Sequence, residues 1–183
     1  MNEENRTIPT LFSPYGAEVS SCRANGKCTG CAIRYRMYVA QHHTPGYLMM
    51  EVAKQKTVGS RSGGTVQYPT FDWEGAICVK MNLGDLAQMI MVFRGIQESI
   101  LDGKGVYHQT AKADTVIRFT HQIEPRPGYL LEISTRPRGG ELKNCYYFFS
   151  PEEAVGFSIA LEGVMPYLAF GVPREVPVAT GER

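Results

Sequence analysis

The sequence predicts an α+β fold built from two internally duplicated ββββα units, with antiparallel sheets and two helices packed on one side of them. Three observations lead there. Apolar and polar residues alternate with the period of a strand in several segments, two helix-start signals stand 68 residues apart at Asn82 and Ser150, and short sequences recur in the same order in both halves.

In the first 20 residues the apolar patches Ile8 to Phe12, Tyr15 and Val19 are broken by Pro9, Pro14 and Gly16, so a strand here is short or lies at an edge. From Ala32 to Gln41, Ile33, Tyr35, Met37 and Val39 alternate with Arg34, Arg36 and Tyr38, giving one face to the core and one to water. His42-His43-Thr44-Pro45-Gly46 makes the turn, and Tyr47 to Lys56 returns as a second strand. The run Gly59-Ser60-Arg61-Ser62-Gly63-Gly64 reads as a flexible loop tip, Thr65 to Trp73 as a third strand interrupted by Pro69, and Ala76 to Met81 as a fourth. Asn82 then caps a helix, with Asp85 at the third helical position to return the hydrogen bond. Leu86, Met89, Ile90, Phe93 and Ile96 follow at helical spacing toward a stop at Asp102-Gly103.

The second half repeats the plan. Val106 to Ala113, Thr115 to Ile123, Tyr129 to Arg136 and Leu142 to Phe149 read as strands, the last entered through a tight Gly139-Gly140 turn. Ser150-Pro151-Glu152-Glu153 combines a cap, a first-turn proline and a capping-box glutamate, and Val155, Ile159, Leu161 and Met165 fill the helix as far as Pro166. Pro45-Gly46-Tyr47-Leu48 recurs as Pro127-Gly128-Tyr129-Leu130, and Ile33-Arg34-Tyr35 as Ile117-Arg118-Phe119. The first copy carries about 14 extra residues between its second strand and its helix, where the glycine-rich run sits. The expected organisation is one structural domain: a segment 1–31 with a cysteine-rich turn, a first repeat 32–103, a second repeat 104–171 and a tail 172–183.

Net charge is only +1, but its distribution is uneven. Between Cys22 and Ser62 seven basic residues face Glu51 alone, and between Lys104 and Cys145 another seven face four acids. Basic residues mixed with aromatic rings on a sheet suit single-stranded nucleic acid: cations follow the phosphates, and rings stack on bases of any identity. The candidate contacts are Arg34, Arg36, Tyr38, Lys54, Lys56 and Arg61 in the first copy, and Arg118, Arg136, Arg138, Lys143 and Tyr146 in the second. Arginines that blunt strand edges beside half-buried tyrosines are the alternative reading. In the run Tyr146-Tyr147-Phe148-Phe149, alternate rings must point to opposite faces, so two belong to the core and two are available.

Five cysteines, a polar N-terminus and the lack of roughly 18 consecutive apolar residues predict reduced thiols, a cytoplasmic location and no membrane segment. Cys28 and Cys31 have the spacing of a zinc knuckle, and Cys22 could supply a third ligand, with Cys78, His42, His43 or a symmetry mate as the fourth. A redox role is the other functional reading, since Arg23 and Lys27 would favour thiolates; free structural cysteines are the third. Phosphate loops, dinucleotide-binding glycine patterns, nucleophile elbows and HExxH motifs are all missing, so no catalytic role is expected.

A duplicated four-strand-plus-helix unit of this length, with Asn82 and Ser150 opening apolar helices and basic strands outside them, resembles the Whirly-type single-stranded DNA-binding transcriptional regulators. The related mitochondrial guide-RNA-binding proteins and the coactivator positive cofactor four share that superfamily fold. The resemblance covers roughly Ala32 to Gly171 and rests on architecture; the lysine- and alanine-rich strand signature of the plant members is replaced by Met50-Glu51-Val52-Ala53-Lys54-Gln55-Lys56. It implies a homotetramer with central helices, single-stranded DNA or RNA along sheet edges, and no chemistry on the ligand. Two alternatives stand beside it: a metal- or redox-responsive protein centred on Cys22, Cys28 and Cys31, and an oligomeric interaction module whose surplus apolar helix surface (Leu86, Ile90, Phe93, Ile96, Val164, Tyr167) serves assembly only.

Overall fold

The computed structural model describes residues 18–40 and 44–171. In chain order its elements are β1 (Glu18–Arg23), β2 (Cys31–Tyr38), β3 (Tyr47–Lys54), β4 (Ser60–Ser62), β5 (Thr65–Gln67), β6 (Ile77–Met81), α1 (Leu83–Phe93), β7 (Val106–Gln109), β8 (Ala113–Gln122), β9 (Gly128–Pro137), β10 (Lys143–Phe149) and α2 (Pro151–Phe170), with a short 3-10 segment at Ile100–Gly103. Two antiparallel four-stranded sheets result, in the orders β1-β2-β3-β6 and β10-β9-β8-β7, and the pair β4-β5 stands apart. The duplication is therefore architectural: β2 corresponds to β8, β3 to β9, β6 to β10 and α1 to α2.

The first sheet starts at Glu18 rather than Ala32, because β1 pairs along its whole length with β2, from Glu18 opposite Arg36 to Arg23 opposite Cys31. It is an edge strand of that sheet, whereas Ile8 to Phe12 and Tyr15 lie outside the described residues. The glycine-rich run is a hairpin, not an unstructured tip: Ser60 to Ser62 pairs with Thr65 to Gln67 across Gly63 and Gly64, both at positive φ. These are the extra residues of the first copy, and the third strand expected over Thr65 to Trp73 shrinks to Thr65–Gln67 because Pro69 cannot continue the ladder.

The repeated Pro-Gly pairs have a steric cause. A Cβ on Gly46 would lie 2.7 Å from the Leu168 Cα, and one on Gly128 would lie 2.4 Å from the Phe149 carbonyl oxygen, so each glycine lets a hairpin press against the next element.

Both helices begin as predicted. Asn82 Oδ1 accepts from the Gly84 and Asp85 amides while Asp85 accepts from the Asn82 amide, and Ser150 with Glu153 repeats the arrangement. Their ends differ from expectation. Helix α1 stops at Phe93, and Gly95 takes a positive φ just beyond it, leaving Ile96 outside the helix and 67% exposed. Helix α2 runs through Pro166 to Phe170, because the Tyr167 and Leu168 carbonyls accept from the Ala40 and Gly46 amides and tie its last turn to the β2-β3 connection.

One core serves both copies. Ile33, Tyr35, Met50, Val52, Ile77 and Val79 from the first sheet meet Ile117, Phe119, Leu131, Ile133, Tyr147 and Phe149 from the second, together with Leu86, Met89 and Phe93 of α1 and Phe157 and Leu161 of α2. Phe93 touches Phe119 and Phe149 edge to face at centroid distances of 4.6 and 5.6 Å, and Phe149 meets Phe157 at 5.0 Å. Each helix reaches across: α1 packs on β8 as well as β6, and α2 on β2 as well as β9 and β10. Glu153 of α2 accepts from Ser21 and Arg23 of β1, so one side chain closes its own capping box and holds the other copy's edge strand.

Helix α2 has the length and mean hydropathy, 1.2, of a membrane span. Ala154, Phe157, Ser158, Leu161 and Leu168 pack one side of it on the core, while only 22% of its apolar stretch is buried. Replacing Asn82 by Ala should lower unfolding stability by about 1 kcal/mol in urea denaturation, with the far-ultraviolet spectrum unchanged.

Candidate nucleic-acid interface

Strand parity decides what each sheet shows to solvent. On the first sheet the outward set is Glu18, Arg36, Met49 and Lys80 in one row, Ser20, Arg34, Glu51 and Cys78 in the next, and Tyr38 with Tyr47 at the end. Arg34 and Arg36 therefore face outward as the alternation requires, but they are not free. Arg34 sits opposite Glu51 and donates to it, and Arg36 donates to both Glu51 oxygens at 2.7 and 2.6 Å. The one acid in that basic stretch thus binds two of its cations. Arg36 also approaches Glu18 at 4.0 Å, so this cluster of two arginines and two glutamates is neutral as a whole.

Aromatic rings and cations interleave on this face. Arg34 lies 4.1 Å above Trp73, Tyr38 stacks on Tyr47 with centroids 4.6 Å apart, and Lys80 lies 4.2 Å from the Tyr47 ring. Tyr47, Trp73 and Lys80 were not among the sequence candidates. The first and last share the outward parity of their strands and were legible from it; Trp73 comes from an irregular segment and was not.

The second sheet repeats the pattern with fewer ion pairs. Arg118, Glu132 and Tyr146 form one outward row, and Asp114 lies beside Arg136. Arg138 pairs with Asp114 at 3.2 Å, whereas Arg118 and Arg136 are exposed and form no ion pair among the described residues. Tyr147 and Phe149 are the core members of the four-ring run; Tyr146, 53% exposed, and Phe148, with Arg126 4.6 Å from its ring, are the outward pair.

Lys54 and Lys143 occupy a different place. Both point to the inner side at strand ends, one from each sheet, and they line a single cleft of about 240 Å³ with Val52, Asp72, Gly75, Ile77 and Cys145. Neither lysine forms an ion pair among the described residues. Lys56 lies beyond the end of β3, at the base of the β4-β5 hairpin, and Arg61 is on the hairpin itself, both exposed. The predicted contacts thus fall into four places: the outer face of each sheet, the cleft between the sheets, and the hairpin.

The three cysteines expected to share a metal do not converge. Cys22 is exposed and opposes Ala32 on the outer side of β1, Cys28 stands at positive φ in the turn with its thiol directed to the Gln55 carbonyl, and Cys31 is buried on the inner side of β2. Strand alternation turns Cys22 and Cys31 to opposite faces. No group of three His, Cys, Asp or Glu side chains able to hold a metal ion occurs among the described residues; His42 and His43 lie outside them.

The structure of WHY3 from Arabidopsis thaliana is similar over 82% of this chain and 88% of that one, with a TM-score of 0.59 at 14% identity. The plant transcriptional regulator PBF-2 is similar over 82% of this chain and 81% of its own, with a TM-score of 0.63 at 14% identity. WHY1 from Arabidopsis thaliana covers 84% and 86%, with a TM-score of 0.59 at 15% identity. The chain has a Whirly-type fold. No family model and no curated protein sequence matches it.

Within this Whirly-type fold, Glu51 is the electrostatic anchor of the first outer face. Burial is the largest single influence on its carboxyl and pushes its pKa up, but hydrogen bonds and charge from Arg36 and Arg34 together outweigh it and hold the pKa below the ordinary carboxylate value. A depressed native pKa contributes stability that is complete above about pH 4.3, the unfolded value for glutamate, and is lost as pH falls through the native one. Glu51→Gln should therefore lower stability by about 1 to 2 kcal/mol at pH 7 and flatten its decline below pH 4, measured by urea denaturation across that range.

Proposed function

We propose that this protein binds single-stranded nucleic acid, using the cleft between its two sheets for the phosphate backbone and the flanking outer faces for bases. The observation that carries this reading is the pair of unpaired lysines, Lys54 and Lys143, contributed by opposite copies to one cleft. Two cations on a partly open groove, opposed only by Asp72, attract a polyanion, and a flexible single strand can follow the groove where a duplex cannot bend into it. Arg118, Arg136, Lys56 and Arg61 extend the positive path, while Tyr146 and the stacked Tyr38 and Tyr47 offer ring faces. Arg34 and Arg36 take a smaller part than their sequence positions suggest, because Glu51 already neutralises much of their charge. The Whirly-type fold supports the same reading, and regulation of transcription is the role it favours.

Binding of fluorescent unstructured oligonucleotides should weaken steeply with salt, the logarithmic slope falling by about one unit for each of Lys54→Ala and Lys143→Ala. The double change to Glu should reduce affinity more than tenfold. A wild-type protein that fails to bind at low salt, or a double variant that binds as before, would refute the proposal.

We further propose a homotetramer assembled through the helices. Leu86 and Phe93, first assigned to assembly, are consumed by the chain's own core. The surface left over is Val155 and Ile159 on α2, 62% and 66% exposed, with Phe170 at 89% and Ile96 at 67%. Sedimentation equilibrium should give about four times the chain mass for the wild type and a smaller species for Ile159→Glu; an unchanged mass in that variant would exclude this face.

A further inference from the structure

Two thiols meet where the two copies join. Cys31 opens β2 in the first sheet, Cys145 lies in β10 of the second, and both face inward, 5% and 4% exposed. The Cys31 thiol donates to the carbonyl of Tyr146, the neighbour of Cys145, at 2.6 Å. Cys145 also lines the cleft that holds Lys54 and Lys143, so a small polar molecule entering there reaches its sulfur without unfolding the chain.

We infer that Cys31 and Cys145 form a peroxide-reactive dithiol, whose oxidation closes a disulfide between the two sheets. The inference is independent of nucleic-acid binding. Position distinguishes the two sulfurs, since Cys145 lines the cleft and Cys31 lies behind it. Hydrogen bonding from Cys31 favours the Cys145 thiolate, as do the Tyr146 backbone and the Lys54 charge, and these outweigh burial; the same contact, with burial, raises the Cys31 thiol. Cys145, the one that an oxidant meets in the cleft, is the attacking sulfur and Cys31 the resolving one.

The chemistry balances with hydrogen peroxide as oxidant. The Cys145 thiolate attacks one peroxide oxygen, the O–O bond breaks, and hydroxide leaves and takes up a proton as water, with Cys145 now a sulfenic acid. The Cys31 sulfur then attacks the Cys145 sulfur, the S–O bond breaks, and the departing hydroxide leaves as water with the Cys31 proton. Two thiols lose two electrons to one peroxide, giving one disulfide and two waters. Crosslinking strands so far apart in sequence restricts the unfolded chain strongly, so the oxidised protein should be harder to unfold.

The test uses the full chain with Cys22, Cys28 and Cys78 changed to Ser, which removes the accessible thiols without touching the pair. After stoichiometric hydrogen peroxide, peptide mapping without reductant should find Cys31 joined to Cys145, and the thermal midpoint should rise by several degrees and return on reduction. Adding Cys31→Ala should leave a Cys145 sulfenic acid that dimedone captures, whereas adding Cys145→Ala should give no dimedone adduct at Cys31; circular dichroism verifies that both variants are folded. If both thiols can still be alkylated in the peroxide-treated, denatured protein, or if they pair only between chains, the proposal fails. Capture of sulfenic acid at Cys31 rather than Cys145 would overturn the assignment of roles.

Discussion

The structure depends on one constraint: neither four-stranded sheet can bury its inner face with its own helix alone. Each is apolar on one side over strands of only four to ten residues, and each is followed by a single helix. The two copies meet that constraint by sharing a core through an exchange of contacts, each helix packing on strands of both sheets. The exchange makes the duplication cooperative, since removing either copy would expose the apolar face of the other. Glu153 shows how closely the copies are joined, serving its own helix cap and the first copy's edge strand with one carboxylate.

Sharing the core sets the character of every remaining surface. Inner faces are largely committed, so polar and aromatic groups accumulate on the outer faces, while inner-facing strand ends reach solvent at the seam. Lys54, Lys143 and Cys145 lie there, which is why a basic cleft and a reactive thiol pair occur side by side. Helix α2, having given five residues to the core, keeps an apolar stripe outside that nothing among the described residues covers.

The fold was legible where local chemistry and periodicity agree. Ile33 and Tyr35 alternating with Arg34 and Arg36 gave both the strand and its inward face, and the capping residues at Asn82 and Ser150 marked both helix starts to the residue. Helix ends were less legible. Pro166 reads locally as a stop, but the β2-β3 connection supplies donors for the last carbonyls, and such a partner is visible only in three dimensions. The β4-β5 hairpin was read as loose because glycine and serine enrichment signals a turn without saying what flanks it.

The candidate site divides in the same way. By itself the sequence determined which side chains face outward, because strand parity follows from the alternation of side chains along the backbone. It also determined that basic and aromatic residues recur on both copies. Tertiary structure alone decided which of those charges are available: Glu51 binds Arg34 and Arg36 across a strand register that no linear spacing reveals, while Lys54 and Lys143, 89 positions apart, come to one cleft. It likewise separated Cys22 from Cys31 and brought Cys31 to Cys145. The physical reason is common to all three: parity is a property of one strand, whereas pairing and charge neutralisation depend on which strands the shared core brings together.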